Sequence, residues 1–414
     1  MLRGTDSGKL NRIALLGAFS MFLSTVEYLF PRPIPFMRLG LANLPLLLGL
    51  EVLPAPSYLL LVILKVLGQA LVNGTLASYV FLFSLFGSLG SALVMYFSYR
   101  LLKKHISFVG ISLLGALASN SMQIVLSVLF IFGSSAWRIL PLFLGIGLVS
   151  GLFIGVFAQH FSERSRWWDT FRRNSRGEET ESYVIDTNFE EEEKVQEKKN
   201  RRKRRPDRLA LFLNPLFRFW TGLVLIPAYL FLDNPLAKAS LVVLFGFLAL
   251  MAGKKIRFGY YIILTASITF FHILTPMGRI LFEIGPFRIT SGALGTGVMK
   301  GLTLCGLIFI SLFSVSGKLT LPGKLGGLLA RTFYFFEEIL EGKGRIRARD
   351  FIGSLDQVLL QLFPPAQLVL MEEPGSAEGA AALTGKKIPS FIYFFLLVGI
   401  VWGTLVWEKL FTVQ

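Results

Sequence analysis

Lys65, Gln69 and Asn73 recur at every fourth position within an apolar run, so on a helix they share one face. Arg38 and Asn43 enter the preceding apolar run, and Asn120 and Gln123 sit inside a later one. Polar groups facing lipid are costly. Such a face therefore either lines a cavity or is used up in interhelical hydrogen bonds and in snorkelling of Arg38 and Lys65. A cavity lined this way would hold a small-molecule substrate. The excess of Arg32, Arg38 and Lys65 over nearby acids points to an anionic one. No Asp/Glu pair lies in an apolar context, which argues against acid–base chemistry within a membrane.

Other chemical signals resolve into packing features. Gly379–Lys387 (GAAALTGKK) approximates a phosphate-binding loop, but its glycines are one residue too far apart and Lys387 replaces the hydroxyl residue that would hold Mg²⁺. Gly292–Gly301 (GALGTGVMKG) opens an apolar run, where glycines let helices approach closely. The lone Cys305 excludes an intramolecular disulfide and a cysteine-based zinc site. His105, His160 and His272 are scattered and read as interfacial or capping residues. The expectation is of no catalytic residue, no metal ligand and no cofactor.

The elements that position these residues are apolar helices. The chain has 414 residues, 53% hydrophobic and only 16% charged. Its mean hydropathy is +0.61, whereas soluble domains carry about 25% charged residues. A spanning helix needs about 20 apolar residues. Eleven runs qualify: Asn11–Phe30, Met37–Leu53, Ser57–Val72, Leu76–Leu101, Ile106–Phe132, Ile139–Phe161, Leu209–Leu232, Leu236–Met251, Phe258–Thr275, Gly292–Val315 and Ser390–Leu410. The fold expected is all-α: a polytopic membrane protein of about 11 transmembrane helices in two membrane domains, with amphipathic coupling helices on the cytoplasmic side.

The net charge of +16 clusters between apolar runs, so it reads as a topology signal rather than a nucleic-acid surface. Lys and Arg fall on one side of a cytoplasmic-type membrane if the N-terminus is cytoplasmic; single exceptions are Arg32, Arg138, Arg279 and Arg288. Eleven spans then place the C-terminus outside. Residues 162–208 carry five arginines up to Arg176, the acidic run Glu190–Glu193 and the basic run Lys198–Arg205. Charge blocks with few apolar residues bury no core, so this segment reads as a charged cytoplasmic linker, its basic end suited to anionic lipid.

In the first run, Ala14, Gly17 and Ala18 place small residues on one face, which allows backbone contact with another helix. Six spans with RLGLAN (Arg38–Asn43) resemble the Gx-transporter family, also known as heptaprenyl diphosphate synthase component I. That family is similar to the substrate-binding S components of energy-coupling factor (ECF) transporters. The resemblance covers residues 9–161 and implies a six-helix substrate-binding domain over 1–161. Its first-helix face, at Ala14, Gly17 and Ala18, would then dock a transmembrane T component.

Residues 209–414 resemble that partner, a CbiQ-like T component. The resemblance is carried by LNPLFRFW (Leu213–Trp220), by Ile289–Gly317 and by the helical stretch at about 318–364. It implies coupling helices whose arginines enter grooves of ABC-type ATPase subunits. Here Ala330-Arg331-Thr332 and Ala348-Arg349-Asp350 supply Arg331 and Arg349, each without the usual small third residue. Phe335–Gly342 and Asp350–Phe363 are amphipathic in helical register and suit a membrane surface. The resemblance as a whole implies a non-enzymatic importer component whose ATP hydrolysis comes from separate subunits. The rival reading is a membrane accessory of polyprenyl diphosphate synthesis. Against its acting alone, the chain lacks the Asp-rich D-D-x-x-D motif that commonly holds Mg²⁺ and diphosphate.

Overall fold

The computed structural model of the chain describes residues 2–27, 40–73, 75–76, 79–102, 105–133, 136–176, 207, 209, 214–254, 256, 258–284, 287–314, 323–346, 350–364 and 390–411. The first half contains α1 (Leu2–Glu27), α2 (Leu44–Val52), α3 (Ala55–Asn73), α4 (Tyr79–Leu102), α5 (Phe108–Ser127), α6 (Ala136–Arg164) and α7 (Arg166–Arg176). The second contains α8 (Pro215–Leu230), α9 (Pro235–Met251), α10 (Phe258–Ile273), the strands β1 (Ile280–Ile284) and β2 (Phe287–Thr290), α11 (Ser291–Ser314), α12 (Gly323–Glu341), α13 (Phe351–Leu362) and α14 (Ser390–Phe411).

All eleven expected spans contain a helix. Among the described residues, six are long and apolar enough to cross a bilayer: Ala55–Val72, Val80–Leu102, Phe108–Ile131, Leu140–Arg164, Ser291–Ser314 and Ile392–Leu410. The chain thus has the character of a multi-pass membrane protein. The other five helices fall short for definite reasons. α2, α8, α9 and α10 have 9, 16, 17 and 16 residues, against about 20 for a full crossing. α1 is long enough, but carries Asn11, Arg12 and Glu27. The all-α expectation holds, with one short hairpin added to the helices. The β-branched and aromatic stretch between α10 and α11 pairs as an antiparallel hairpin, with Glu283 opposite Arg288 and an ion pair of 3.2 Å between them.

α1 sits at the centre of the first half. Every residue from Ile13 to Leu23 is buried, with α3 on one side and the second half's α12 on another. A helix apolar all round belongs inside a bundle. α3 to α6 then follow one another as packed neighbours, α2 lying against α6. In the second half α11 is central, touching α8, α9 and α10, while α14 covers α8. The glycines of α11 work as expected: Gly297 and Gly301 abut Thr269 and Thr265 of α10, and Gly306 admits Tyr229, whose hydroxyl donates to the Leu302 carbonyl at 2.7 Å. The fully buried Arg218 closes the other end of α11. Its Nε donates to the Phe313 carbonyl at 2.9 Å and its Nη1 to Asp207 at 2.8 Å. A cation on the last carbonyls of a helix is favoured by the helix dipole.

The two halves do not stay apart. The amphipathic α12 and α13 share one hydrophobic core with α1 to α7. Between residues 162 and 208, the part that the structure describes contradicts a bare linker. α6 continues to Arg164, and α7 buries Trp167, Trp168 and Phe171 completely. These three aromatics lie on one face, and their apolar area outweighs the surrounding arginines. Residues 177–206 lie outside the described set. Asp356 of α13 caps α7 from across the chain. It accepts from the Ser165 hydroxyl and from the backbone N–H groups of Arg166 and Trp167, at 3.3 and 3.0 Å for the last two. Carboxylates are favoured at a helix N-terminus, where free N–H groups and the dipole converge. Trp167 Nε1 donates to the Phe363 carbonyl at 3.1 Å, and Trp168 Nε1 to Glu51 at 3.3 Å.

A second seam joins the halves at the end of α5. Residues Val128–Phe132 form a π-helical turn, which alters the carbonyl pairing of an ordinary helix. Lys300 Nζ donates to the Phe130 carbonyl at 3.1 Å, and His272 Nε2 meets the Ile131 carbonyl at 3.0 Å. Both side chains come from the second half, and Arg138 of the first half donates back to the Leu274 carbonyl.

Removing the Asp356 carboxylate should detach α7. Asp356→Ala is expected to cost about 1.5–3 kcal/mol, the range for losing hydrogen bonds to a charged group. It should also accelerate amide hydrogen exchange over 166–171. Unchanged exchange there would contradict the capping role.

Candidate functional site

The helices of the first half line a partly open cavity of about 90 Å³, with apolar side chains such as Met95, Phe143, Ile146 and Ile154 among a polar set. It is lined from α1 by Ser24 and Glu27, from α3 by Lys65 and Gln69, and from the turn before α2 by Asn43. α4 adds Ser84, Ser88 and Ser91; α5 adds Ser112, Ser119, Asn120 and Gln123; α6 adds Ser150. Five of the seven residues marked by the sequence pattern therefore meet in one space: Asn43, Lys65, Gln69, Asn120 and Gln123. Arg38 lies outside the described residues. Asn73 closes α3, and its side chain likewise lies outside the described set.

Lys65 is 4% exposed, and its ammonium donates to Asn43 Oδ1 and, at 3.2 Å, to Ser88 Oγ. Gln69, one turn on, is buried on the same face. The local backbone brings Asn43 to this point. Gly40, at φ 85°, adopts the left-handed conformation that glycine takes without strain. The chain then turns through a 3-10 segment, Leu41–Asn43, into α2. Glu27 fixes the same turn by accepting from the Gly40 N–H at 3.2 Å. At the far end, Asn120 Nδ2 donates to the Phe143 carbonyl at 3.1 Å and Gln123 Nε2 to Ser119 at 2.9 Å. Gly147 leaves room for Asn120, which a Cβ there would overlap.

The sequence pattern missed Glu27 and the serines. Glu27 is 3% exposed, so the described lining holds one cation and one anion, and the expected basic excess does not appear among the described lining residues. Glu27 ends an apolar run and reads as a boundary in sequence; serine is small enough to pass as ordinary helix packing. Among the described residues no group of three or more His, Cys, Asp or Glu could hold a metal ion.

The small-residue face of α1 is buried against α12 and α3. Ala14 and Ala18 are fully buried. At Gly17 a Cβ would meet Thr332 Cγ2 of α12 at 3.2 Å and Leu64 Cβ of α3 at 3.6 Å. Next to it, Arg331 Nη1 donates to Asn11 Oδ1 at 2.7 Å. The motif resemblance puts Arg331 at a surface that meets an ATPase; it is instead 5% exposed and held in the α1–α12 seam. Arg349 lies outside the described residues.

Every described lining residue of the cavity falls between Ser24 and Ile154. Residues 16–161 match the family model for heptaprenyl diphosphate synthase component I. The cavity thus lies wholly within the component I-like segment. Residues 214–316 match a domain of unknown function (DUF8519), which covers α8 to α11 and excludes α12 and α13. No curated protein and no solved structure matches the chain.

Two substitutions separate a cavity role for Lys65 from a purely structural one. Desolvating a buried ammonium is costly, and an apolar side chain of similar volume often replaces it without loss of stability. If Lys65 serves a ligand, Lys65→Met should leave the melting temperature unchanged or higher. Gly147→Ala should lower it by several degrees through the clash with Asn120. Unfolding of Lys65→Met would make Lys65 a structural residue.

Proposed function

We propose that the chain is the membrane component of an ECF-type importer, with a substrate-capturing first half and an energy-coupling second half in one polypeptide. The observation that carries this reading is the double role of α1. The helix presents Ser24 and Glu27 to the polar cavity and Gly17 to Thr332 of α12. Seven residues separate Gly17 from Ser24, about 10 Å along a helix. A movement of α12 is then felt at the cavity through one rigid element. α12 and α13 would take the place of coupling helices on the cytoplasmic side, next to ABC-type ATPase subunits that supply the work. The chain itself is read as non-enzymatic.

The matched family favours a second reading, a membrane subunit associated with polyprenyl diphosphate synthesis, since "component I" implies a further component. The cavity weighs against direct handling of the prenyl chain. Met95, Phe143, Ile146 and Ile154 share the lining with the hydroxyls, amides and two charges, but a space of about 90 Å³ holds only a small part of a seven-isoprene chain.

Purification of the full-length protein from native membranes, followed by mass spectrometry, distinguishes the two readings. An ABC-type ATPase pair should co-purify. Gly17→Leu, which forces α12 away from α1, should reduce ATPase activity stimulated by the complex at least tenfold while the ATPases stay bound. Recovery of a soluble prenyl synthase without ATPases would replace the importer by the accessory reading.

A further inference from the structure

The outer surface of α4 ends in a built arrangement that the cavity does not use. Leu93, Phe97 and Leu101 stand at every fourth position, share one face of the helix and are exposed, Leu101 by 84%. They run about 12 Å along the helix, close to the roughly 15 Å depth of one leaflet's hydrocarbon. Arg100 stands beside the last of them, in the final turn of α4. Its guanidinium lies 5.2 Å from the centre of the Tyr96 ring, and its Nε donates to the Tyr96 hydroxyl at 3.2 Å. These two contacts hold the side chain in place, and among the described residues no acceptor takes up its Nη groups.

α7 brings a second cation to the same corner. α2 touches both α4 and α7, and Tyr99 lies within electrostatic reach of Arg100, Arg172 and Arg176. The three arginines differ in how far the protein uses them. Arg172 pairs with Asp169 at 3.1 Å and with Glu51 at 3.6 Å. Arg100 and Arg176 are exposed, and among the described residues neither has a carboxylate within ion-pair distance. Glu51, the carboxylate that also reaches Tyr99, is engaged by Arg172 and by Trp168 Nε1. The helix dipole favours a cation in the last turn of α4 and of α7. It gives no reason for an exposed apolar stripe that ends beside Arg100.

We propose that Arg100 and Arg176 hold the phosphate of an anionic phospholipid whose acyl chain lies along Leu93, Phe97 and Leu101. A guanidinium offers a phosphate two parallel N–H groups in a fixed plane. The acyl chain of the same molecule needs an apolar surface about one leaflet deep, and the stripe supplies it. A zwitterionic headgroup would bring an ammonium beside the two guanidiniums, against like charge. A soluble anion would meet the arginines and leave the stripe unused. Such a lipid site is independent of what the cavity holds.

The test uses the full-length protein in vesicles of equal phosphatidylglycerol and phosphatidylcholine. The photoreactive p-benzoylphenylalanine replaces Leu101, and mass spectrometry of the cross-linked product identifies the lipid captured. The same residue at Ile400, exposed on α14, serves as the reference. Position 101 should capture phosphatidylglycerol in at least about fivefold excess, and position 400 near the bulk ratio. Arg100→Gln with Arg176→Gln should bring position 101 to the bulk ratio. Arg100→Lys with Arg176→Lys should keep part of the preference, and neither pair should change the ratio at position 400. A bulk ratio at position 101 in the unsubstituted background, or a preference that survives the glutamine pair, would overturn the lipid site. Release of a bound protein subunit by the glutamine pair, with the lipid ratio at position 101 unchanged, would assign the two arginines to a protein partner instead.

Discussion

The structure depends on a helix that has no outer face. α1 is buried from Ile13 to Leu23, and a helix surrounded on all sides needs neighbours that come close to its backbone. In lipid, where apolar area alone gives no preference for protein over solvent, that closeness is the main source of association. Gly17 supplies it towards α12. Gly68 supplies it towards α3, where a Cβ would overlap Met21. Because α12 belongs to the second half of the chain, one requirement of the first half is met by a segment far away in sequence. The hydrogen bond between Arg331 and Asn11 spans 320 positions.

Charge is then placed where burial demands a partner. Asp356 caps α7, Arg218 caps α11, and Lys300 and His272 meet carbonyls at the π-helical turn. Each joins segments far apart in sequence, and all but Arg218 link the two halves. Each also puts a polar group against the unsatisfied end or interruption of a helix, where its desolvation is best repaid. The cavity follows another rule. There Lys65 donates to Asn43 and Ser88, and Glu27 accepts from the Gly40 amide, so both charges meet side chains or a turn of their own half rather than the end of a distant helix.

Much of this is legible in the residue order, and the exceptions have physical causes. Hydropathy marks every helix except α7, α12 and α13, because an uninterrupted apolar run of such length is stable only inside a bilayer or a protein core. The four-residue spacing of Lys65 and Gln69 marks a shared face, and the structure turns that face inward. α7 is hidden because arginines dominate any window through 162–176, while its three aromatics are too few to shift an average. α12 and α13 show their amphipathic period but not the surface that covers it, since periodicity names a face and not its partner. For the same reason Arg331 reads as an outward-facing residue; Asn11 gives it a buried acceptor that nothing nearby in sequence suggests. The hairpin between α10 and α11 is masked by the apolar runs on either side of it.

The central claim is that α12 packs on α1 at Gly17, joining the half that holds the cavity to the half that would drive it. The chain has only one cysteine, the buried Cys305, so a cross-link can be placed cleanly. In a Cys305→Ala background, Gly17→Cys and Thr332→Cys would place two thiols where a Cβ at position 17 already meets Thr332 Cγ2 at 3.2 Å, and a disulfide requires Cβ atoms about 3.5–4.5 Å apart. Mild oxidation of isolated membranes should close that bond in nearly all of the protein, seen as a mobility shift after cleavage of the chain between residues 177 and 206. Absence of the cross-link, with both cysteines shown to be reactive, would mean that α12 does not rest on α1 and would remove the link between the cavity and the second half.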